Sequence, residues 1–288
     1  MQNIAIIGAG AVGSILLYLI RNDKQLNIDI FATEERDVII EKDEELLHTG
    51  FTTKLLGSTN KQYDIIFITT KAYTLDSIIS VIESLTHEDT NIIICQNGYS
   101  QSECFNHPKV FHAVVYISGR KTENKVIYFR DNKLVLPINK QTIAIKNKLL
   151  NTHLDLTLAD DYLTQIWFKL LVNLGINSMT ALTKNTAQIL KVHEVQHQLR
   201  MLLQEGIMVA NHEQLNFSDE TINQIINIYA GYPDHMGTSM YYDVNNNNLT
   251  EYAFIQGYIY ERARYHQLNT PTLDLVYALL KGYQYKRS

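Results

Sequence analysis

The first half of the chain alternates between short apolar runs and stretches with helical spacing. Ile4–Ile7, Ile28–Phe31, Asp64–Thr69 and Asn91–Cys95 are nearly continuous apolar runs rich in β-branched residues. Val12–Arg21 and Leu75–Leu85 instead repeat apolar residues every three or four positions. Strands of this kind separated by helices predict a parallel sheet covered on both faces. Val110–Ile117, Val126–Arg130 and Lys133–Leu136 read as further strands, the last two joined as a hairpin through Asp131-Asn132. Gln141–Leu150 reads as a helix and Leu154–Leu158 as a final strand. From about Asp160 the strand signals thin out. Tyr162–Leu174, Thr186–Asn211, Asp219–Ala230, Glu251–His266 and Thr272–Tyr283 carry helical periodicity, with Ser218 as an N-cap and Pro271 just before the last helix. The expected class is α/β: a doubly wound parallel sheet over residues 1–160, then an all-helical half over 161–288.

Composition narrows the class. The chain has 288 residues, 45% of them hydrophobic and 19% charged, as an ordinary globular protein does. With 25 basic and 30 acidic residues the formal charge is −5, which gives no general pull toward nucleic acid or an anionic membrane. The apolar runs fall short of the ~20 residues that cross a bilayer. No basic stretch precedes the first apolar run, so no secretory signal is expected. Only Cys95 and Cys104 are present, Cys95 within an apolar run; a disulfide framework is not expected, and a reducing cytoplasm is.

Gly8-Ala9-Gly10-Ala11-Val12-Gly13 fits the pattern G-x-G-x-x-G. Alone it is weak, but here a β-branched strand precedes it and an apolar helix follows. The first glycine permits the tight turn, the second lets backbone approach a pyrophosphate, and the third lets helix and strand pack closely. The helix N-terminus adds free N–H groups for the phosphates. A bare glycine turn is the plainer reading; the context favours a Rossmann-type dinucleotide site. The residues after the second strand normally report the cofactor, a carboxylate taking the ribose 2′-OH of NAD and an arginine the 2′-phosphate of NADP. Here they read Thr33-Glu34-Glu35-Arg36, a split signal.

In Trp167–Asn177 the polar residues Lys169, Asn173 and Asn177 stand at i, i+4 and i+8 among Leu, Val, Ile, Phe and Trp. On a helix they form one stripe, which must be solvated or bonded because an unpaired buried polar group costs about 1–3 kcal/mol. A wet helix face or amides bonding neighbouring helices would explain it; so would a site. Lys71 and Asn97-Gly98 follow strands, where ligands of open α/β sheets bind, although a solvated charge and a plain turn suit them equally. Thr238 and Ser239 suit a helix start, and Glu251 a first helical turn.

Taken together, GAGAVGS at Gly8, KAY at Lys71, QNG around Asn97, WFKLLVNLGINSMTAL from Trp167, GTSMYYD from Gly237, Glu251 and the late NTPTLD resemble the ketopantoate reductase family along the whole chain. The resemblance implies a Rossmann domain followed by a helical substrate-binding and catalytic domain, with the active site in the cleft between them. It implies reduction of 2-dehydropantoate to (R)-pantoate with NADPH, in pantothenate and coenzyme A synthesis. Lys169 matches the family's general acid, Asn173 and Asn177 its substrate-binding asparagines, and Ser239 the serine that holds substrate. Glu251 matches the acidic residue near the nicotinamide and the substrate hydroxyl, and Asn97 the asparagine touching both ligands. Gly8–Gly13, Thr33, Lys71 and Gly119 fall at cofactor-side positions. No metal is implied, and a homodimer is compatible. The family commonly has arginine where Thr33 stands and INPLTA where this chain reads Ile176–Ala181 without the proline. Competing readings are another 2-oxo acid or 3-hydroxy acid dehydrogenase on the same plan, and a non-catalytic dinucleotide-binding paralogue.

Overall fold

A computed structural model describes residues 1–285. The chain forms two compact units: Met1–Asn97 with Gln101–Tyr162, and Gly98–Ser100 with Leu163 onward.

In the first unit, β1 (Gln2–Ile7), α1 (Ala11–Ile20), β2 (Leu26–Ala32), β3 (Asp37–Lys42), β4 (Glu45–Thr52), β5 (Lys54–Leu55), β6 (Ile65–Ile68), α2 (Leu75–Ser84), β7 (Asn91–Ile94) and β8 (Val110–His112) follow in order. The main sheet has strand order β5-β2-β1-β6-β7-β8, every pairing parallel. Both faces are covered, and the strand residues show it. Ile4 and Ile6 pack into one apolar cluster with Ile15 and Leu16 of α1, while Ala5 and Ile7 pack into another with Leu75 and Ile82 of α2. A two-residue alternation with both sides buried is what a continuous apolar run encodes. The order reverses at β1, whose neighbours are β2 and β6, so the crevice of a doubly wound sheet opens at the carboxyl end of β1. Within the same unit, Asp29 on β2 is buried beside Lys54, Lys61 and Tyr63. Burial pushes its carboxyl up, but the hydrogen bonds from Lys54, Lys61 and Tyr63 outweigh this and hold it below the usual carboxylate range.

The rest of this unit departs from the sequence expectations in three places. Residues 37–52 form a hairpin of β3 and β4 that hydrophobic pattern alone did not reveal. Its turn is Asp43-Glu44, both at positive φ (51° and 66°), flanked by the pair Lys42 and Glu45. That backbone is normally signalled by Asn-Gly or Asp-Gly, and neither occurs there. Val110–Ile117 is not one strand. It breaks at Ala113 into β8, on the main sheet, and β9 (Val114–Val115), on a separate sheet ordered β13-β12-β9. Third, β11 (Val126–Arg130) and β12 (Lys133–Pro137) do not make a hairpin. β11 joins β10 (Ser118–Lys121), β3 and β4, whereas β12 pairs with β9 and with β13 (Asp155–Ala159). Asp131 takes positive φ (66°), as a turn residue would, but the turn hands the chain from one sheet to another. Between β12 and β13 runs α3 (Lys140–Lys148).

The second unit is helical: α4 (Tyr162–Thr183, of which Leu163 onward belongs here), α5 (His193–His212), α6 (Asp219–Ala230), α7 (Ser239–Asn245), α8 (Gln256–Tyr265) and α9 (Pro271–Gln284). α4 is longer than its expected end at Leu174 because Gly175 does not break it; a Cβ there would sit 2.5 Å from Tyr229 Oη, so glycine permits close helix packing. Tyr229 Oη donates to Val172 O at 2.6 Å. The expected helix from Thr186 begins as a 3-10 turn, Ala187–Lys191, before α5. Ser218 is the residue before α6, and Pro271 is the first residue of α9. The orphan amides of α9 are satisfied from elsewhere: Thr272 N and Leu273 N donate to Glu205 at 3.0 and 2.7 Å. Among the described residues no helix is long and apolar enough to cross a membrane.

Candidate active site

The glycine turn is built as its spacing demands. Gly8 has φ +109°, a region open to glycine, and a Cβ there would lie 2.8 Å from Thr70 N. A Cβ on Gly13 would lie 2.0 Å from Gly8 O and 2.4 Å from Thr69 Oγ1. At Gly10, the residue capping α1, a Cβ would meet nothing within 4 Å. The two outer glycines thus serve the protein, while the middle one leaves room beside the helix N-terminus for a phosphate-bearing ligand. The first turn of α1 carries no acidic residue to oppose an anion. Thr69 Oγ1 donates to Gly8 O at 2.7 Å and fixes the turn. These features fit a dinucleotide.

Around it, Ala9 O accepts from Arg36 Nη2 at 2.9 Å, and Arg36 Nη1 lies 3.3 Å from Glu34 Oε1. Thr33 is exposed beyond the end of β2. Lys71 lies after β6, its carbonyl accepting Thr74 N and Thr74 Oγ1 at 3.0 and 2.8 Å. Gly119 has a packing reason to be glycine, since a Cβ there would lie 2.4 Å from Ile15 Cδ1 and 2.6 Å from Ile127 O.

In the helical unit, Lys169, Asn173 and Asn177 fall on one stripe of the unbroken α4, successive members about 6 Å apart along the axis. From Leu170 to Ala181 every residue except Asn173 is buried. Lys169 and Asn173 are half-buried, and Asn177 is 3% exposed. The stripe therefore runs from a wet end into the interior, which excludes an ordinary solvated face.

Other elements converge on its inner end. Thr180 Oγ1 and Thr238 Oγ1 are 2.8 Å apart, which ties α4 to the start of α7. Thr238 caps α7 by accepting Tyr241 N at 3.1 Å, and the exposed Ser239 is the first residue of that helix. Gln256, fully buried at the start of α8, donates from Nε2 to Ser178 Oγ at 2.9 Å, next to Asn177. Glu251 is buried (5% exposed) in a turn before α8 and not inside it; its carbonyl accepts Phe254 N and Ile255 N at 3.1 and 3.2 Å. The expected helix start at Glu251 thus moves to Gln256. The segment after Asn97 docks on that turn. Gly98 takes φ +90°, where a Cβ would lie 2.4 Å from Phe254 O, and Tyr99 N donates to Phe254 O at 3.1 Å. The ring of Tyr99 contacts Tyr258, which contacts Trp167, at centroid separations of 5.4 and 5.8 Å.

The comparisons with known proteins bear on both units. A family model described as ketopantoate reductase PanE/ApbA matches residues 4–137, and its C-terminal counterpart matches residues 161–284. A dimeric ketopantoate reductase from Staphylococcus aureus superposes with a TM-score of 0.95 at 39% identity, covering 99% of this chain and 100% of that one.

The chain belongs to the ketopantoate reductase family.

Its relatives include the 2-dehydropantoate 2-reductases of Caulobacter vibrioides, 24% identical over 98% of this chain and 99% of that one, and of Mycobacterium tuberculosis, 24% identical over 96% of each. The fold extends to a D-mandelate dehydrogenase solved with NADH and anilino(oxo)acetate, with a TM-score of 0.88 at 21% identity. The chain is accordingly a dinucleotide-dependent oxidoreductase of this family.

Three residues that pattern reading passed over matter to the geometry. Thr69 holds the glycine turn, Thr180 joins α4 to α7, and Gln256 joins α8 to α4. A polar residue inside an apolar stretch was the available signal for each. Gln256→Leu removes a donor from Ser178 while leaving the Ser178 hydroxyl donating to Leu174 O. Thermal unfolding should show a loss of about 1 kcal/mol.

Proposed function

We propose that the chain reduces 2-dehydropantoate to (R)-pantoate with NADPH, and that Lys169 is the general acid. The α4 stripe carries this reading: one cation and two amides, in line, on a helix otherwise buried from Leu170 to Ala181. When bound, NADPH would supply the hydride. As a hydride reaches the ketone carbon, negative charge develops on the ketone oxygen, and the Lys169 ammonium both stabilises that charge and delivers the proton. Asn173, Asn177 and Ser239 hold the polar groups of the substrate, which fixes the ketone relative to the acid. Glu251 takes the substrate hydroxyl on the nicotinamide side, and Asn97 serves both ligands. Gly8 to Gly13, with Ala9, Ala11 and Val12, carry the pyrophosphate, and Thr33, Lys71 and Gly119 complete the cofactor side. In this division of labour residues 1–160 bind the dinucleotide, and residues 161–288 bind the substrate and carry the acid.

The S. aureus relative's description as dimeric supports a homodimer, and the two unpaired cysteines, Cys95 buried and Cys104 exposed, suit a reducing cytoplasm.

Calorimetry tests the assignment of Glu251 and Asn97 to both ligands. Ketopantoate should bind measurably only once NADP is present, and Glu251→Ala should weaken ketopantoate binding more than NADP binding. Tight ketopantoate binding to cofactor-free protein, unchanged by NADP, contradicts it.

A further inference from the structure

Thr33 stands where the family commonly places the arginine for the 2′-phosphate, so an NADPH enzyme built on this chain needs its cation elsewhere. The loop after β2 supplies one. Arg36 is anchored at both levels. Its backbone N–H donates to Thr53 Oγ1 at 2.9 Å and its carbonyl accepts Thr53 N at 2.9 Å, Thr53 being buried. Its side chain reaches back to the glycine turn through Nη2 to Ala9 O at 2.9 Å. The guanidinium is therefore held, not waving, at the crevice end of β1, where the adenosine ribose lies in folds of this type. A planar guanidinium has five donors, and among the described residues Arg36 commits one in a hydrogen bond, to Ala9 O, and forms an ion pair with Glu34. Glu34 is 64% exposed, and an exposed ion pair exchanges its carboxylate for another anion at little cost.

We propose that Arg36 is the 2′-phosphate-recognising residue of this chain, with Glu34 the counter-ion that the phosphate displaces. The ligand class is an adenine nucleotide phosphorylated on the ribose 2′-oxygen. The inference rests on the NADPH reading above and assigns it to residues. It also gives Glu34 a definite second role: with an unphosphorylated dinucleotide, this carboxylate accepts the free 2′-OH.

The test is equilibrium binding, read by calorimetry, of NADPH, NADH and adenosine 2′,5′-bisphosphate to the full chain and to Arg36→Met and Glu34→Gln. The wild type should prefer NADPH. Arg36→Met should raise the Kd of NADPH and of the bisphosphate about tenfold or more, and that of NADH by less than about threefold. Glu34→Gln should tighten the bisphosphate and loosen NADH. If Arg36→Met weakens both dinucleotides together, Glu34→Gln decides. An NADPH-to-NADH affinity ratio within about twofold of wild type in both Arg36→Met and Glu34→Gln overturns the proposal while leaving the NADPH reading intact. A wild type that prefers NADH overturns both.

Discussion

Lys169→Ala should lower kcat for ketopantoate reduction by roughly 10²-fold or more while the Kd of NADPH stays within about twofold of wild type. The split follows from where the charge is needed. The ground-state ketone carries little negative charge on oxygen, so in the proposed mechanism the ammonium does most of its work as the hydride arrives. The lysine is half-buried at the open end of a stripe whose inner end is Asn177, so removing it leaves the packed segment of α4 untouched. Stopped-flow measurement of NADPH oxidation separates chemistry from binding. Asn173→Ala provides the contrast: it should raise KM for ketopantoate more than it lowers kcat, because the proposed role of its amide is to hold substrate in both states. A Lys169→Ala protein with near-wild-type kcat removes the lysine from the mechanism.

A second pair of variants separates what the glycine turn does for the fold from what it does for a ligand. Gly13→Ala puts a Cβ 2.0 Å from Gly8 O, a backbone atom that Thr69 Oγ1 also binds, so α1 must move away from β1. Overpacking of this kind costs about 1–3 kcal/mol, and thermal unfolding should show it even without ligand. Gly10→Ala adds a methyl to open space at an ordinary backbone conformation, φ −78°. Its melting temperature should stay close to wild type, yet dinucleotide affinity should fall tenfold or more because the methyl occupies the approach to the pyrophosphate. Equal effects of the two variants on stability, or undiminished binding by Gly10→Ala, would mean that the turn is only a turn.

How much of this was legible in sequence depends on how local the cause is. The main sheet could be read because each central strand is buried on both faces and so appears as an unbroken apolar run, as in Ile65–Ile68. The capping of α6 at Ser218 and the start of α9 at Pro271 are local chemistry, and both stand where sequence places them. The β3–β4 hairpin was not legible, because its strands are partly exposed and its turn uses Asp43-Glu44 without glycine. Nor was the split at Ala113. Which sheet a strand joins is decided by partners far along the chain, so Asp131-Asn132 looks like a hairpin turn whether or not its flanking strands pair. The stripe on α4 was visible from spacing. The links that hold it, Thr180 to Thr238 and Gln256 to Ser178, span 58 and 78 residues and leave no periodic trace. Gly98 is the intermediate case. The sequence marks a turn, but its need for glycine comes from Phe254, far along the chain.

The most direct measurement of the central claim is side-by-side steady-state oxidation of NADPH and NADH by the purified chain with ketopantoate, and with a panel of other 2-oxo acids, the product identified by chiral chromatography. Ketopantoate with NADPH should give the highest kcat/KM and yield (R)-pantoate. Turnover of another 2-oxo acid at a higher kcat/KM than ketopantoate, or no oxidation of either dinucleotide with ketopantoate, would contradict it.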